Sequence, residues 1–226
     1  MNHLPRSSCF LALLGCYAPW AEPGANAVEF TKETSCISVE TDSDAHPEQL
    51  TVELWLRAAE ELLYIDHPLV TWPGGFALWV DQDGVGWFTD SARSNGASYA
   101  TGFLDGELHH VAGTWDGETS TLFVDGERVG FSPAIFGEDP GDTLYIGCWG
   151  TQEIFYEGLL DEVRISSVVR YTEDFTLESV PFESDDDTLS LWHLDEGEGE
   201  WSLDAMGRYD ASLVDLDWIS FELTEP

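Results

Sequence analysis

The chain has 226 residues, 43% hydrophobic and 13% aromatic, which is enough to bury a two-layer core and excludes an acidic disordered tail. Its 44 Asp and Glu stand against 8 Lys and Arg, a formal net charge of -36. Such a surface repels phosphates and anionic glycans, so nucleic acid is a poor partner, and the acids are spread along the chain in the manner of a solvated coat.

The N-terminus carries an export pattern. Arg6 supplies a positive charge, Cys9 to Gly15 form a short apolar run, and that run falls well below the ~18 apolar residues of a membrane span. Two cleavage readings stand. Leu13-Leu14-Gly15-Cys16 resembles the lipobox of bacterial lipoproteins, which makes residues 1–15 a signal peptide, Cys16 the lipidated residue and 16–27 a linker; Ala25-Asn26-Ala27 fits an A-x-A peptidase site. The lipobox reading deletes Cys9 and leaves Cys36 and Cys148 as a possible disulfide of an exported protein. Alternation argues against that bridge. Ile37 and Val39 share a face that Cys36 does not, whereas Cys148 shares the face of Leu144 and Ile146, so the sulfurs are expected in different layers.

From about residue 50 the apolar pattern has period two, with turn signals every ten residues or so. Leu50, Val52, Leu54 and Leu56 alternate with Thr51, Glu53, Trp55 and Arg57; Phe76 to Asp81 ends in Gln82-Asp83-Gly84 before Val85 to Thr89. Leu108 to Trp115 turns through Asp116-Gly117-Glu118-Thr119 into Ser120 to Val124, and Asp125-Gly126 offers a two-residue turn into Glu127 to Gly130. Thr143 to Cys148 and Gly158 to Ile165 supply two more strands. Only Ala58 to Leu63 reads locally as helix, and it is too short to stand alone. The whole is the signature of an all-β antiparallel sandwich.

These segments carry a family resemblance. Leu50 to Arg57 (LTVELWLR), Gly75 to Val80 (GFALWV), Gly106 to Gly117 (GELHHVAGTWDG), Leu122 to Val129 (LFVDGERV), Leu144 to Gly147 (LYIG) and Gly158 to Ile165 (GLLDEVRI) follow in order over roughly residues 25 to 170. The sequence resembles the bacterial laminin-G-like jelly-roll domains of the concanavalin-A-like sandwich superfamily. The resemblance implies a two-sheet antiparallel jelly roll over residues 28–226. Asp187 to Val214, with Leu191-Trp192-His193-Leu194-Asp195-Glu196-Gly197 and Asp204-Ala205-Met206-Gly207, is similar to a segment that comes first in many members and here comes last. A lone strand cannot bury Leu189, Leu191, Leu213, Val214 and Trp218, so residues 187–226 are expected to complete the same sandwich, with Glu183 to Asp187 as a solvated connector.

Adjacent His109 and His110 point to opposite faces of a strand and read as structural. Asp161 and Glu162 are neighbours and are expected to point apart, no acidic array stands on one strand, and no nucleophile elbow is present, so no catalytic residue is assigned. The resemblance implies a structural calcium, for which Asp161, Asp195 and Asp204 are the candidate ligands; Phe30-Thr31-Lys32, where the family carries Phe-Asp-Gly, withholds one more. Trp72 and Trp149, at strand exits, and Trp87 are the candidate platform for a neutral glycan or a protein surface. The expected function is a non-catalytic recognition or adhesion module outside the cytoplasm, tethered by lipid on Cys16; its rivals are a polysaccharide hydrolase or lyase of the same superfamily and a purely structural envelope protein.

Overall fold

The structure, a computed structural model, describes residues 26–41, 47–59, 67–82, 84–90, 95–100, 105–137, 141–150, 154–177 and 181–220. Two antiparallel eight-stranded sheets pack face to face around one core, and among the described residues there is no helix. The first sheet runs β10 (Glu127–Pro133), β9 (Thr119–Val124), β8 (His109–Trp115), β3 (Leu50–Ala58), β12 (Gly158–Ser166), β1 (Asn26–Phe30) and β16 (Asp217–Ser220), with β13 (Thr188–Trp192) also paired to β12. The second runs β14 (Trp201–Ser202), β15 (Ala211–Val214), β2 (Cys36–Glu40), β11 (Thr143–Ile146), β4 (His67–Trp72), β5 (Phe76–Asp81), β6 (Gly84–Phe88) and β7 (Gly96–Ala100).

Period-two patterning accounts for the core. Leu50, Val52, Leu54 and Leu56 of β3 share one buried cluster with Val70, Leu78 and Ile146 of the opposite sheet. Ala58, where a helical turn is expected from the sequence, is instead the last residue of β3, and residues 60–63 lie outside the described residues. The Asp125-Gly126 turn, with both residues at positive φ (50° and 82°), sets Val124 opposite Glu127 and so fixes the β9–β10 register. Trp87 crosses between the sheets, its indole N–H donating to the Thr114 carbonyl at 2.9 Å. Gly113 makes room for it: a Cβ there would lie 2.2 Å from the indole.

The C-terminal strands are woven into both sheets. β13 pairs with β12, β16 with β1, and β14 and β15 extend the second sheet beyond β2. Asn26 and Ala27 fall within the 16–27 linker boundary, although Ala25 to Phe30 also reads as a usable first strand; they belong to β1 and pair with Ser220 and Ile219 of β16. Cys16 and residues 1–15, on which the export and lipidation readings fall, lie outside the described residues.

Cys36 and Cys148 are joined in a disulfide, with their Cα atoms 5.2 Å apart. Alternation, which speaks against this bridge, fails as a guide at Gly147. Its φ of 73° interrupts the extended backbone after Ile146, so Cys148 no longer keeps the face of Leu144 and Ile146.

Around β3, β8 and β12 the outer face of the first sheet is covered rather than solvated. The connector between β12 and β13 folds back over it, bringing Phe182 onto Trp55 and Leu191, and Tyr171 and Phe175, stacked at 3.6 Å, onto Phe123. Glu53, fully buried on β3, sits beneath this cover. Its carboxylate accepts from Arg164 Nε at 2.9 Å and from the Tyr171 hydroxyl at 2.8 Å, and lies 3.1 Å from His110 Nε2. Burial alone would raise the Glu53 carboxyl, but the His110 bond, with the His110 and Arg164 charges and the Tyr171 bond, holds it below its ordinary value. The connector's acidic stretch is exposed yet pinned, because Asp185 takes both ends of the Arg170 guanidinium at 2.9 and 2.7 Å.

Candidate functional site

The structure places the expected tryptophan platform inside the protein. Trp72 and Trp87 are buried and spend their indole N–H groups on the carbonyls of Gly141 and Thr114. Trp149 is half-buried against Trp79, with ring centroids 5.4 Å apart, and serves as a cover for that ring. A strand-exit position does not expose a tryptophan when the facing turn supplies an acceptor for its N–H.

The expected calcium ligands do not converge as a set. Asp204 is buried, and its oxygens accept the backbone N–H groups of Leu191, Met206, Arg208 and Tyr209, which makes it the staple of the β14–β15 loop. Asp161 is buried on β12 while Asp195 is exposed after β13; the two sense each other electrostatically. Among the described residues no three His, Cys, Asp or Glu side chains come together to hold a metal. A carboxylate already saturated by four amides and a remaining pair fall well short of the ~6–8 oxygens calcium wants, and the residues present do not fit the ion.

The expectation that Asp161 and Glu162 point apart is also overturned. Glu162 sits at φ 52° in a bulge, with a register shift against β3 between Asp161 and Arg164, and both carboxyls are buried. Burial, then the Glu162 charge, push the Asp161 carboxyl well above the usual range, and Asp195 adds to the effect. Glu162 accepts from the Phe182 amide at 2.8 Å and lies 2.9 Å from His193 Nδ1, a contact that raises His193 above the ordinary imidazole value. The bulge splits the far edge of β12 between two neighbours, β1 at Gly158 to Leu160 and β13 from Val163 onward.

A cleft of about 280 Å³ opens where the connector meets the β8–β10 edge of the first sheet. Thr114 of β8 and Thr119 and Thr121 of β9 line it, because alternate residues there face outward, and Thr172 and Tyr171 close it from the connector. Asp116 and Arg128 contribute opposite charges to its lining. Phe131 is 71% exposed on the edge strand β10, and the Arg128 guanidinium lies 5.9 Å from its ring centre. This arrangement pairs an exposed aromatic ring with a row of hydroxyls. From the sequence the strand is expected to stop at Gly130; the register shift between Arg128 and Gly130 carries it on and turns Phe131 outward.

The family model described as the Concanavalin A-like lectin/glucanases superfamily, Laminin_G_3, matches residues 31–176. The chain belongs to this superfamily. The match spans β2 to β12 and includes the β8–β10 side of the cleft, while β13 to β16 lie beyond it. The structure is similar to a Bacteroides ovatus protein described, provisionally, as carbohydrate binding, with a TM-score of 0.72 and 18% identity over 89% of this chain and 61% of that one. The chain thus spans less than two thirds of that protein's length. It is also similar to the native heptameric SAP-like pentraxin of Limulus polyphemus, with a TM-score of 0.51 and 15% identity over 67% of this chain and 80% of that one. No curated protein matches in sequence. At these identities the likeness is one of fold, the concanavalin A-like jelly roll.

Proposed function

We propose that this member of the superfamily is a non-catalytic recognition module that binds a neutral carbohydrate in the β8–β10 cleft, with Phe131 stacking on the sugar face. The observation that carries the reading is the exposed Phe131 ring beside hydroxyls of Thr114, Thr119, Thr121 and Thr172 and the Asp116 and Arg128 pair. A sugar offers an apolar C–H face and a ring of hydroxyls, the complement of that set. The net charge of -36 favours neutral over anionic glycans. The cleft's size suits a single sugar residue, such as a chain end, better than a long run of a polymer. A hydrolase needs two acids facing one groove; among the described residues this cleft is lined by one carboxylate, Asp116. The Cys36–Cys148 disulfide supports a location outside the reducing cytoplasm. Lipid on Cys16 would tether the module to an envelope, and mass spectrometry of the N-terminus from native membranes tests that. A glycan array probed with the full chain tests the main reading: selective retention of neutral glycans supports it, and uniform silence or retention of sulfated glycans alone contradicts it.

A further inference from the structure

A second cavity, of about 380 Å³, lies where β3 begins, β12 ends and β4 turns into β5. Both sheets build its walls: Leu50 and Ile165 from the first, Trp72, Phe76 and Leu144 from the second, with Trp192 of β13 beside them. These side chains are nearly all buried, so the walls are core elements with fixed rotamers rather than loop residues. Protein interiors rarely hold voids much larger than a water molecule, and this volume falls within the range of small-molecule sites. Among the described residues no carboxylate lines it.

Among the described residues one charged side chain lines the cavity, Arg208, from the loop between β14 and β15. That loop is built to hold it: Asp204 Oδ2 accepts the backbone N–H of Arg208 and of Tyr209, each at 3.1 Å, and the Tyr209 carbonyl accepts from the Trp192 indole at 2.8 Å. Among the described residues the Arg208 guanidinium has no carboxylate partner, in a chain with 44 acids and 8 basic residues. A guanidinium fork at the mouth of an apolar cavity matches one planar carboxylate, whereas a multiply charged head group would meet the repulsion of the whole molecule.

We propose that this inter-sheet cavity binds an amphipathic monocarboxylate, with its alkyl tail between Leu50, Leu144 and Ile165 and its carboxylate on Arg208. The site shares no residue with the β8–β10 cleft and stands independently of the carbohydrate reading. Each methylene placed between the sheets should tighten binding about threefold to fourfold.

Calorimetric titration of the full chain with octanoate, decanoate and 1-decanol, all below their aggregation concentrations, tests the proposal. One decanoate should bind per chain, about tenfold more tightly than octanoate. R208Q should weaken decanoate at least tenfold and leave decanol unchanged; Arg208 is exposed, so this variant keeps the fold. L189W, which fills the cavity from its half-buried lip, should abolish both. Absence of saturable decanoate binding, equal affinity of R208Q and the parent for decanoate, or decanoate binding that survives L189W would overturn it.

Discussion

Around β3, β8 and β12 the two faces of the first sheet are both buried and are held in opposite ways. The inner face, with Leu50, Val52 and Leu54 in succession along β3, is apolar and packs by shape against the second sheet. The outer face buries Glu53, His110 and Arg164 among Trp55, Phe182 and Leu191 beneath the connector. Outward positions on a sandwich strand are therefore not automatically surface: a connector that lays Tyr171, Phe175 and Phe182 over the sheet turns the polar half of the alternation into a second, ion-paired core.

Removing one charge of the outer network strikes this contrast hardest. Glu53→Gln leaves Arg164 buried without its counter-ion, and loss of one partner of a buried pair costs about 3–5 kcal/mol. Chemical denaturation should show that loss, together with early proteolysis in residues 167–187. The inner face should answer to volume instead. Gly113→Ala drives a methyl into the Trp87 indole, and such overpacking costs about 1–3 kcal/mol, read as a lower melting midpoint with the connector still protected. Asp204→Ala strips the acceptor from four backbone amides of the β14–β15 loop, for an expected loss of about 2 kcal/mol that is equal in calcium and in chelator.

The smallest effects are those of pH. Asp185, held well below the usual carboxylate range by its bonds to Arg170, stabilises the fold above the unfolded-state value, and that contribution fades as pH falls through its lower folded-state value. His193, raised by its bond to Glu162, contributes fully below the ordinary imidazole value and loses the contribution as pH rises through its higher folded-state value. Both side chains are partly exposed, so each contributes at most about 1 kcal/mol after screening. Melting curves should therefore show Asp185→Asn flattening the acid limb and His193→Gln the near-neutral limb.

The strands of the inner core are legible in the sequence because alternation and Asp-Gly turns act locally. β4 is not, since His67–Trp72 is buried along its whole length and shows no alternation, and β7 lies in a run of small residues without an apolar period. The disulfide is hidden by one glycine, Gly147, whose positive φ breaks the rule that would set Cys148's side. The binding cleft is illegible for a different reason. Its walls join β8 to β10 with Val169, Tyr171 and Thr172 of the connector, a contact made only once the chain has folded back over the sheet. Tryptophan content points to Trp72, Trp87 and Trp149, whereas the strongly exposed rings are Phe131 of β10 and Trp201 of β14, both on edge strands, and of these only Phe131 lines the cleft.

Recognition of a neutral sugar in the β8–β10 cleft stands or falls with Phe131. Calorimetric titration of a neutral glycan retained on the array, into the parent chain and into Phe131→Ala, puts it to the test. Phe131 is 71% exposed, so the variant should keep the parent's stability to within about 0.5 kcal/mol, while its affinity falls at least tenfold. Equal affinity in the two proteins at equal stability would contradict this reading and move the recognition site elsewhere on the fold.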